Sequence, residues 1–302
     1  MDYFLGIDWG GTYIKAGVVT SSGRVLRKKL FVSDRLKSKK IFIESIKSLV
    51  ADLSGYDIKG VGIGVPGIVD IKKGFIYYLP NINGWKNYPL KKVLAKELKL
   101  PVFVDNDANV FALAENCLGA ARKAKRVLFF TLGTGLGSAV ILDGRILEGS
   151  TSAAELGHFP ISLTGTKCGC GGYGCIETFL GNKYLLLRYA QLKKGKAKTL
   201  NKVKDIFLKA KEGETAAIKV WQEFSYAFGM YLSGMINVFD PDKIVLGGGV
   251  SGAMSVFKPM LLKIIKKQAM WPQAKNTKIV KAKLKNAGLI GAGLLAKQKL
   301  SK

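Results

Sequence analysis

Histidine is almost missing from this chain. One, His158, stands among 302 residues, and three of the four cysteines crowd around it in "ELGHFPISLTGTKCGCGGYGCIE", residues 155 to 177. Cysteines so few and so bunched exclude the disulfide framework of a small secreted domain. Acid is scarce too: 21 Asp and Glu face 48 Lys and Arg, and none follows Asp242. No apolar run approaches the roughly 18–20 residues needed to span a membrane. The start, "MDYFLGIDWGG", enters a strand pattern at once, without the basic n-region or small-residue cleavage site of a signal peptide. No G-x-x-x-x-G-K-[ST] occurs, which excludes a P-loop. The expectation is a cytoplasmic globular chain, long enough for two domains, with no membrane contact.

The net charge of +27 would suit a polyanion partner. Most of the basic residues are lysines scattered over many segments, however, and no recognition-helix or RNA-binding signature accompanies them. No nucleic acid is expected, and the charge reads as a solvated surface.

What is present is a repeat. "YFLGI", the loop Asp8-Trp9-Gly10-Gly11-Thr12, "YIKAGVV", the turn Ser21-Ser22-Gly23 and "RVLRKKLFV" form a first set. About 120 residues later come "VLFFTL", the loop Gly133-Thr134-Gly135-Leu136-Gly137, "SAVIL", the turn Asp143-Gly144 and "RIL". Strand, Gly/Thr loop, strand, Gly turn, strand recurs in the same order, as in a duplicated domain. Helical and strand periods alternate between and after the two sets, which predicts an α/β protein of two similar lobes. Two lobes with such loops suggest a ligand held in a cleft between them.

The glycine stretches differ in meaning. "GIGVPG", Gly62 to Gly67, matches a dinucleotide pattern in letters only, because "IVDIKKGFIYY" after it reads as strand, turn, strand. The two repeat loops can present bare backbone N–H groups to an anion, with Thr12 and Thr134 adding hydroxyls. Asp8 beside the first loop makes sense if a divalent cation lies between it and phosphate oxygens. Gly247-Gly248-Gly249 follows a buried strand and precedes a helix, a place where α/β proteins bind a nucleotide's base and ribose.

Two polar clusters remain. In "VFVDNDANVFALAE" either Asn106 or Asp107 is a natural helix N-cap, and a carboxylate there is a candidate base for a hydroxyl proton. His158, with Cys168, Cys170 and Cys175 in C-x-C-x4-C spacing ten residues on, supplies an imidazole and three thiolates, a tetrahedral zinc set. Four ligands leave no open position, so the metal would be structural. Fixing one ring nitrogen of His158 would aim the other at a ligand. Cys117, on an apolar helix face, is expected to be simply buried.

Taken in order, "GIDWGGTYIK", "GIGVPGIVD", "LPNINGW", "VDNDANVFALAE", "TLGTGLG", "ELGH", "CGCGGYGCIE" and "LGGGVS" resemble the ROK family of sugar kinases and sugar-responsive repressors along nearly the whole chain. The resemblance implies a duplicated ribonuclease-H-like fold of the actin and hexokinase type. It implies a small lobe of residues 1–107 with the C-terminal helix from about 288 to 302, and a large lobe of 108–287 carrying the zinc loop 155–178. The implied chemistry is transfer of the γ-phosphoryl of ATP, with Mg²⁺, to a hexose 6-hydroxyl, glucose first. Asp107 would be the base; Gly67, Asn81, Asn106, Asp107, Glu155, His158 and Glu177 would hold the sugar. Asp8, Gly10, Gly11, Thr12, Lys15, Gly133, Thr134, Gly135, Gly137 and Gly247 to Gly249 would hold the donor.

Two alternatives stay open beside glucose and ATP. The acceptor could be mannose, fructose or an N-acetylhexosamine, and "GTGLGSA" followed by "AELGH" is similar to a polyphosphate-using branch. A non-catalytic sugar sensor is the reading from another class. Family repressors carry a DNA-binding segment before the first glycine loop; seven residues precede Asp8 here, so none is expected. Family members are often dimers, and a homodimer is expected.

Overall fold

The computed structural model describes residues 1–36, 38–80, 82–149, 151–193 and 200–301. The chain divides into two compact units. The first comprises Met1–Lys123, Arg145–Ala154 and Lys283–Lys302; the second comprises Ala124–Gly144 and Glu155–Ala282.

The first unit begins with three antiparallel strands, β1 (Tyr3–Trp9), β2 (Tyr13–Thr20) and β3 (Val25–Val32). Helix α1 (Lys39–Asp52) leads to β4 (Ile58–Val65) and then to a small separate sheet of β5 (Ile68–Asp70), β6 (Phe75–Tyr78) and β7 (Lys86–Tyr88). Helix α2 (Leu90–Leu98), β8 (Val102–Asn106) and α3 (Asp107–Leu118) follow. The main sheet runs β3-β2-β1-β4-β8, with β1, β4 and β8 parallel. Central parallel strands are covered on both faces, so β1 and β4 are almost continuously buried and legible as apolar runs. Strand β3 instead exposes Arg27, Lys28 and Lys29 on the edge, where charge discourages pairing with another chain. The ring of Trp9 stacks on Phe42 of α1 at 4.2 Å, and the edge of Trp85 meets Trp9 at 4.7 Å, so the end of β1 is tied to its surroundings.

The second unit repeats the plan. Strands β9 (Val127–Leu132) and β10 (Leu136–Leu142) pair antiparallel, and a turn with positive φ at both Asp143 and Gly144 leads to β11 (Arg145–Ile146). Helices α4 (Glu177–Leu180), α5 (Asn182–Leu192), α6 (Val203–Lys211) and α7 (Thr215–Phe239) come next. Strand β12 (Lys243–Gly247), α8 (Met254–Gln268), α9 (Trp271–Asn276) and β13 (Lys278–Lys281) complete this unit, and α10 (Ala287–Leu300), which belongs to the first, ends the chain. The order β10-β9-β12-β13 reproduces β2-β1-β4-β8, strand direction included. The expected duplication is present. Phe130 of β9 meets Phe228 and Tyr231 of α7, and Trp221 and Phe224 of α7 meet Phe257 of α8, so α7 is the apolar spine of this unit.

Two expectations need correcting. The unit boundary does not fall at 107/108: α3 belongs to the first unit, as do residues 145–154. The reason is packing, since Val110, Leu113 and Ala114 of α3 form one core with Ala287, Ile290 and Leu294 of α10. Cys117 is exposed, because the last turn of α3 runs out past that core. Among the described residues no helix is long and apolar enough to cross a membrane.

Helix α10 is buried along most of its length and lies unusually close to the sheet. A Cβ on Gly62 would collide with the carbonyl of Ala292, one on Gly6 with that of Leu289, and one on Gly291 with that of Val110. These glycines are there for space. Gly62→Ala is expected to destabilise the fold by about 1–3 kcal/mol, or roughly 2–12 °C in Tm, since the obstacle is backbone that cannot rotate away. Thermal unfolding followed by circular dichroism checks it, and a wild-type Tm would refute the close-packing argument.

Candidate active site

In both units the candidate residues gather where parallel strands end, the edge at which open α/β sheets expose loops to ligands. In the first unit Asp8 of β1 is in register with Gly64 of β4, and Val65 of β4 with Asn106 of β8. The loop after β1 closes by Gly10 N–H to Tyr13 O at 3.0 Å, and Ser33 secures it from outside by donating Oγ–H to Gly10 O at 2.7 Å. No atom lies within 4 Å of where a Cβ on Gly11 would stand, so its backbone is open to a ligand. Lys15 Nζ lies 3.3 Å from Asp8 Oδ2, placing an ammonium beside the carboxylate proposed for a divalent cation. Gly288 in the first turn of α10 stands so near that an added Cβ would be 2.5 Å from the Asp8 carboxyl carbon. Ser33 and Gly288 were not legible as site residues: one acts through a backbone carbonyl, the other by having no side chain.

The turn from β8 into α3 settles which residue caps. Asn106 is the N-cap: its Oδ1 accepts from Ala108 N–H at 2.8 Å, and its Nδ2 donates to Gly67 O at 3.2 Å. Two residues expected at the sugar are thereby joined. Asp107 is left as the first helical residue, half-buried, at a helix start that favours an anion. Asp105 behind it is buried and accepts from Asn106 N–H at 2.7 Å and Asn109 Nδ2 at 2.8 Å. Burial pushes its carboxyl up to about 6 against the pull of those hydrogen bonds. In the sequence the run Asp-Asn-Asp is one polar cluster; the structure separates a brace, a cap and a candidate base. Asn81, expected at the sugar, lies outside the described residues.

In the second unit the loop after β9 closes by Gly133 N–H to Gly135 O at 3.0 Å. Positions Gly133 and Gly249 are both open to approach. Gly247 pairs with Thr131, and Gly248, at φ 79°, lies so tightly on the carbonyl of Leu132 that a Cβ would collide. The hairpin and the triple glycine therefore share one edge of this sheet. Glu155 and His158 lie one turn apart, joined by His158 N–H to Glu155 O at 3.0 Å. Glu177 uses Oε2 to accept Leu136 N–H at 2.9 Å, while Oε1 accepts from the Cys168 thiol at 3.4 Å.

The ligand atoms of His158, Cys168, Cys170 and Cys175 all lie within 4.8 Å of one another. Cys170 and Cys175 sulfurs are 3.7 Å apart, and Cys168 Sγ is 3.5 Å from His158 Nδ1. A tetrahedron with metal–sulfur bonds of about 2.3 Å and a metal–nitrogen bond of about 2.0 Å has edges of about 3.8 and 3.5 Å. The donor set therefore fits a structural zinc, with Nδ1 as the nitrogen turned to it. The cysteines are free, the pair at 3.7 Å being far from a disulfide length of about 2.05 Å. Burial pushes the Cys168 and Cys175 thiols up, so a bound cation would have to displace their protons.

Two mixed sheets of the same topology, each with glycine loops at the carboxyl ends of its strands, define the two-lobed fold of actin-like sugar kinases. The chain belongs to the ROK family, whose model matches residues 4–299. It is 35% identical to a glucokinase of Halalkalibacterium halodurans, over 98% of this chain and 95% of that one. It is similar to the crystal structure of a ROK family glucokinase from Streptomyces griseus in complex with glucose and AMPPNP, at TM-score 0.81 and 32% identity, covering 98% of this chain and 99% of that one. A ROK family transcriptional regulator homologous to the E. coli MLC protein matches at TM-score 0.88 and 28% identity, with 99% of this chain and 78% of that chain covered.

The cluster makes a direct prediction. Cys170→Ser removes one of four ligands from the exposed side of the set and should reduce bound zinc from about one per chain to a small fraction. Elemental analysis of the purified variant checks this; undiminished zinc would show that the four residues are not the site.

Proposed function

We propose that the protein is an ATP- and Mg²⁺-dependent hexose kinase that phosphorylates the 6-hydroxyl of glucose. The observation that carries the reading is the β8–α3 turn, where Asp107 stands at a helix start with Asn106 and Asp105 fixing the backbone on either side. A sugar needs a base on a fixed backbone, and these bonds hold the amides before and after Asp107. In the reaction the sugar oxygen bonds to the γ-phosphorus as its proton passes to Asp107. The bond from that phosphorus to the β,γ-bridging oxygen breaks, and ADP leaves with the electron pair.

The donor's phosphates are assigned to Gly10, Gly11 and Thr12 in one unit and to Gly133, Thr134, Gly135 and Gly137 in the other. Gly247 to Gly249 would take the nucleoside. Mg²⁺, when bound, would neutralise phosphate charge beside Asp8, with Lys15 as a second cation there. Gly67, Asn81, Asn106, Glu155, His158 and Glu177 are assigned to the sugar hydroxyls. With Nδ1 of His158 on the zinc, Nε2 is the nitrogen left to face a hydroxyl, in one tautomer. A zinc-bound Cys168 has no proton to give, which would release Glu177 Oε1 as a further acceptor. Four free thiols suit a reducing, cytoplasmic setting, and a homodimer is in keeping with Tyr226, Met230 and Val238 exposed on α7.

The +27 charge would find a use if polyphosphate were the donor, and the likeness to a transcriptional regulator is the observation behind a second reading, a non-catalytic sugar sensor. A panel of hexoses and N-acetylhexosamines assayed against ATP and against polyphosphate decides among these. The expected result is fastest turnover with glucose and ATP; no sugar phosphate from any sugar with either donor would establish the sensor. Asp107→Asn is expected to lower kcat by roughly 10²–10⁴-fold while glucose affinity changes little. Calorimetric titration with glucose beside a coupled rate assay checks that, and near-wild-type turnover would remove Asp107 as the base.

A further inference from the structure

Both chain segments that carry the metal ligands are fastened to the same stretch of β10. On the histidine side, Leu156 N–H donates to Ser138 Oγ at 2.9 Å, and Gly157 lies so close to the carbonyl of Leu136 that a Cβ would collide. On the cysteine side, two residues past Cys175, Glu177 Oε2 accepts Leu136 N–H at 2.9 Å and closes off the space beside Gly135. Asn182 N–H, one residue beyond Gly181, then donates to Gly133 O at 2.9 Å. The Gly133–Gly137 hairpin is thus gripped from two sides by segments that the four-ligand cluster joins. A carboxylate beside an intended phosphate site repels the phosphate, so its electrostatics cannot be the reason for its place. Its reach can.

We propose that Glu177 is a positioning residue for the phosphoryl donor: it holds the hairpin at the height set by the metal loop, so the loop metal serves donor binding as well as the sugar. This rests on the reading that the Gly133–Gly137 hairpin takes the donor's phosphates. The role depends on an acceptor oxygen at glutamate length and not on negative charge. Glutamine has both the length and the oxygen; aspartate has the charge and is one methylene short.

The test is calorimetric titration of the whole zinc-loaded protein with AMPPNP and Mg²⁺ in the absence of sugar, so that a lost sugar contact is silent. Glu177→Ala and Glu177→Asp are expected to weaken AMPPNP about tenfold, the scale of one lost hydrogen bond, while Glu177→Gln stays within about threefold of wild type. Zinc content measured on the same samples should remain at one per chain. Wild-type AMPPNP affinity in zinc-loaded Glu177→Ala overturns the proposal. So does the reverse order, with aspartate binding like wild type and glutamine failing. Should the alanine variant shed zinc or misfold, the glutamine and aspartate pair decides alone. Thr134→Ala separates this proposal from the reading beneath it. If Thr134→Ala weakens AMPPNP and Glu177→Ala does not, only the positioning role falls. If Thr134→Ala binds as wild type, the hairpin is not the donor site and both fall.

Discussion

Helix α10 approaches the glycine floor of β1 and β4 more closely than any residue with a side chain would permit, and much of the first unit depends on that distance. With Gly6 and Gly62 beneath it, the helix reaches depth enough for Gly288 to stand against Asp8. Its other face is then available to α3, whose Val110 and Leu113 complete the core above it. Helix α3 begins with Asp107, so the position of the candidate base is fixed at the far end of the chain. The same close contact leaves no room for α10 to slide, because backbone meets backbone on two sides.

In the second unit polar atoms take over the role that steric fit has in the first. The hairpin after β9 has open glycines and little of its own to hold it, and its support comes from Leu156, Glu177 and Asn182. Those three lie in segments that would be loose without a cross-link, since the stretch from 159 to 176 has almost no regular structure. A metal held by the four side chains that lie within 4.8 Å of one another would supply that cross-link. The chain's one histidine stands in that set.

The elements that were legible in the sequence are those whose pattern is set locally. "VLFFTL" and "KIVLG" read as strands because parallel strands covered on both faces must be apolar throughout. Asp143-Gly144 read as a turn because both positions need positive φ. Helices α6 and α9 were passed over. The second is six residues long and buries nothing; the first does place Val203, Ile206, Phe207 and Ala210 at helical spacing, but over only nine residues. The cluster at 158–175 was legible from ligand type and spacing. The bond from Glu177 to Leu136 was not, because it joins residues 41 apart through tertiary register. The cap at Asn106 could be narrowed to two residues but chosen only from dihedral angles and partners. The unit boundary was misplaced because α3 has a polar start that reads as a junction, while its apolar face, which decides where it belongs, answers to a helix some 180 residues away.

The two copies of the sheet differ most in what has been spliced into them. The first carries its additional hairpins between β4 and α2, and the second carries the cysteine-rich stretch between β11 and α7. Both additions leave the strand order untouched, and residues assigned to the acceptor, Gly67 in one and Glu155, His158 and Glu177 in the other, lie in them or at their margins. The strand frame and the inserts are thus separable parts: on the proposed reading, a change of acceptor could be confined largely to the inserts while the repeated sheets and their glycine loops stay as they are.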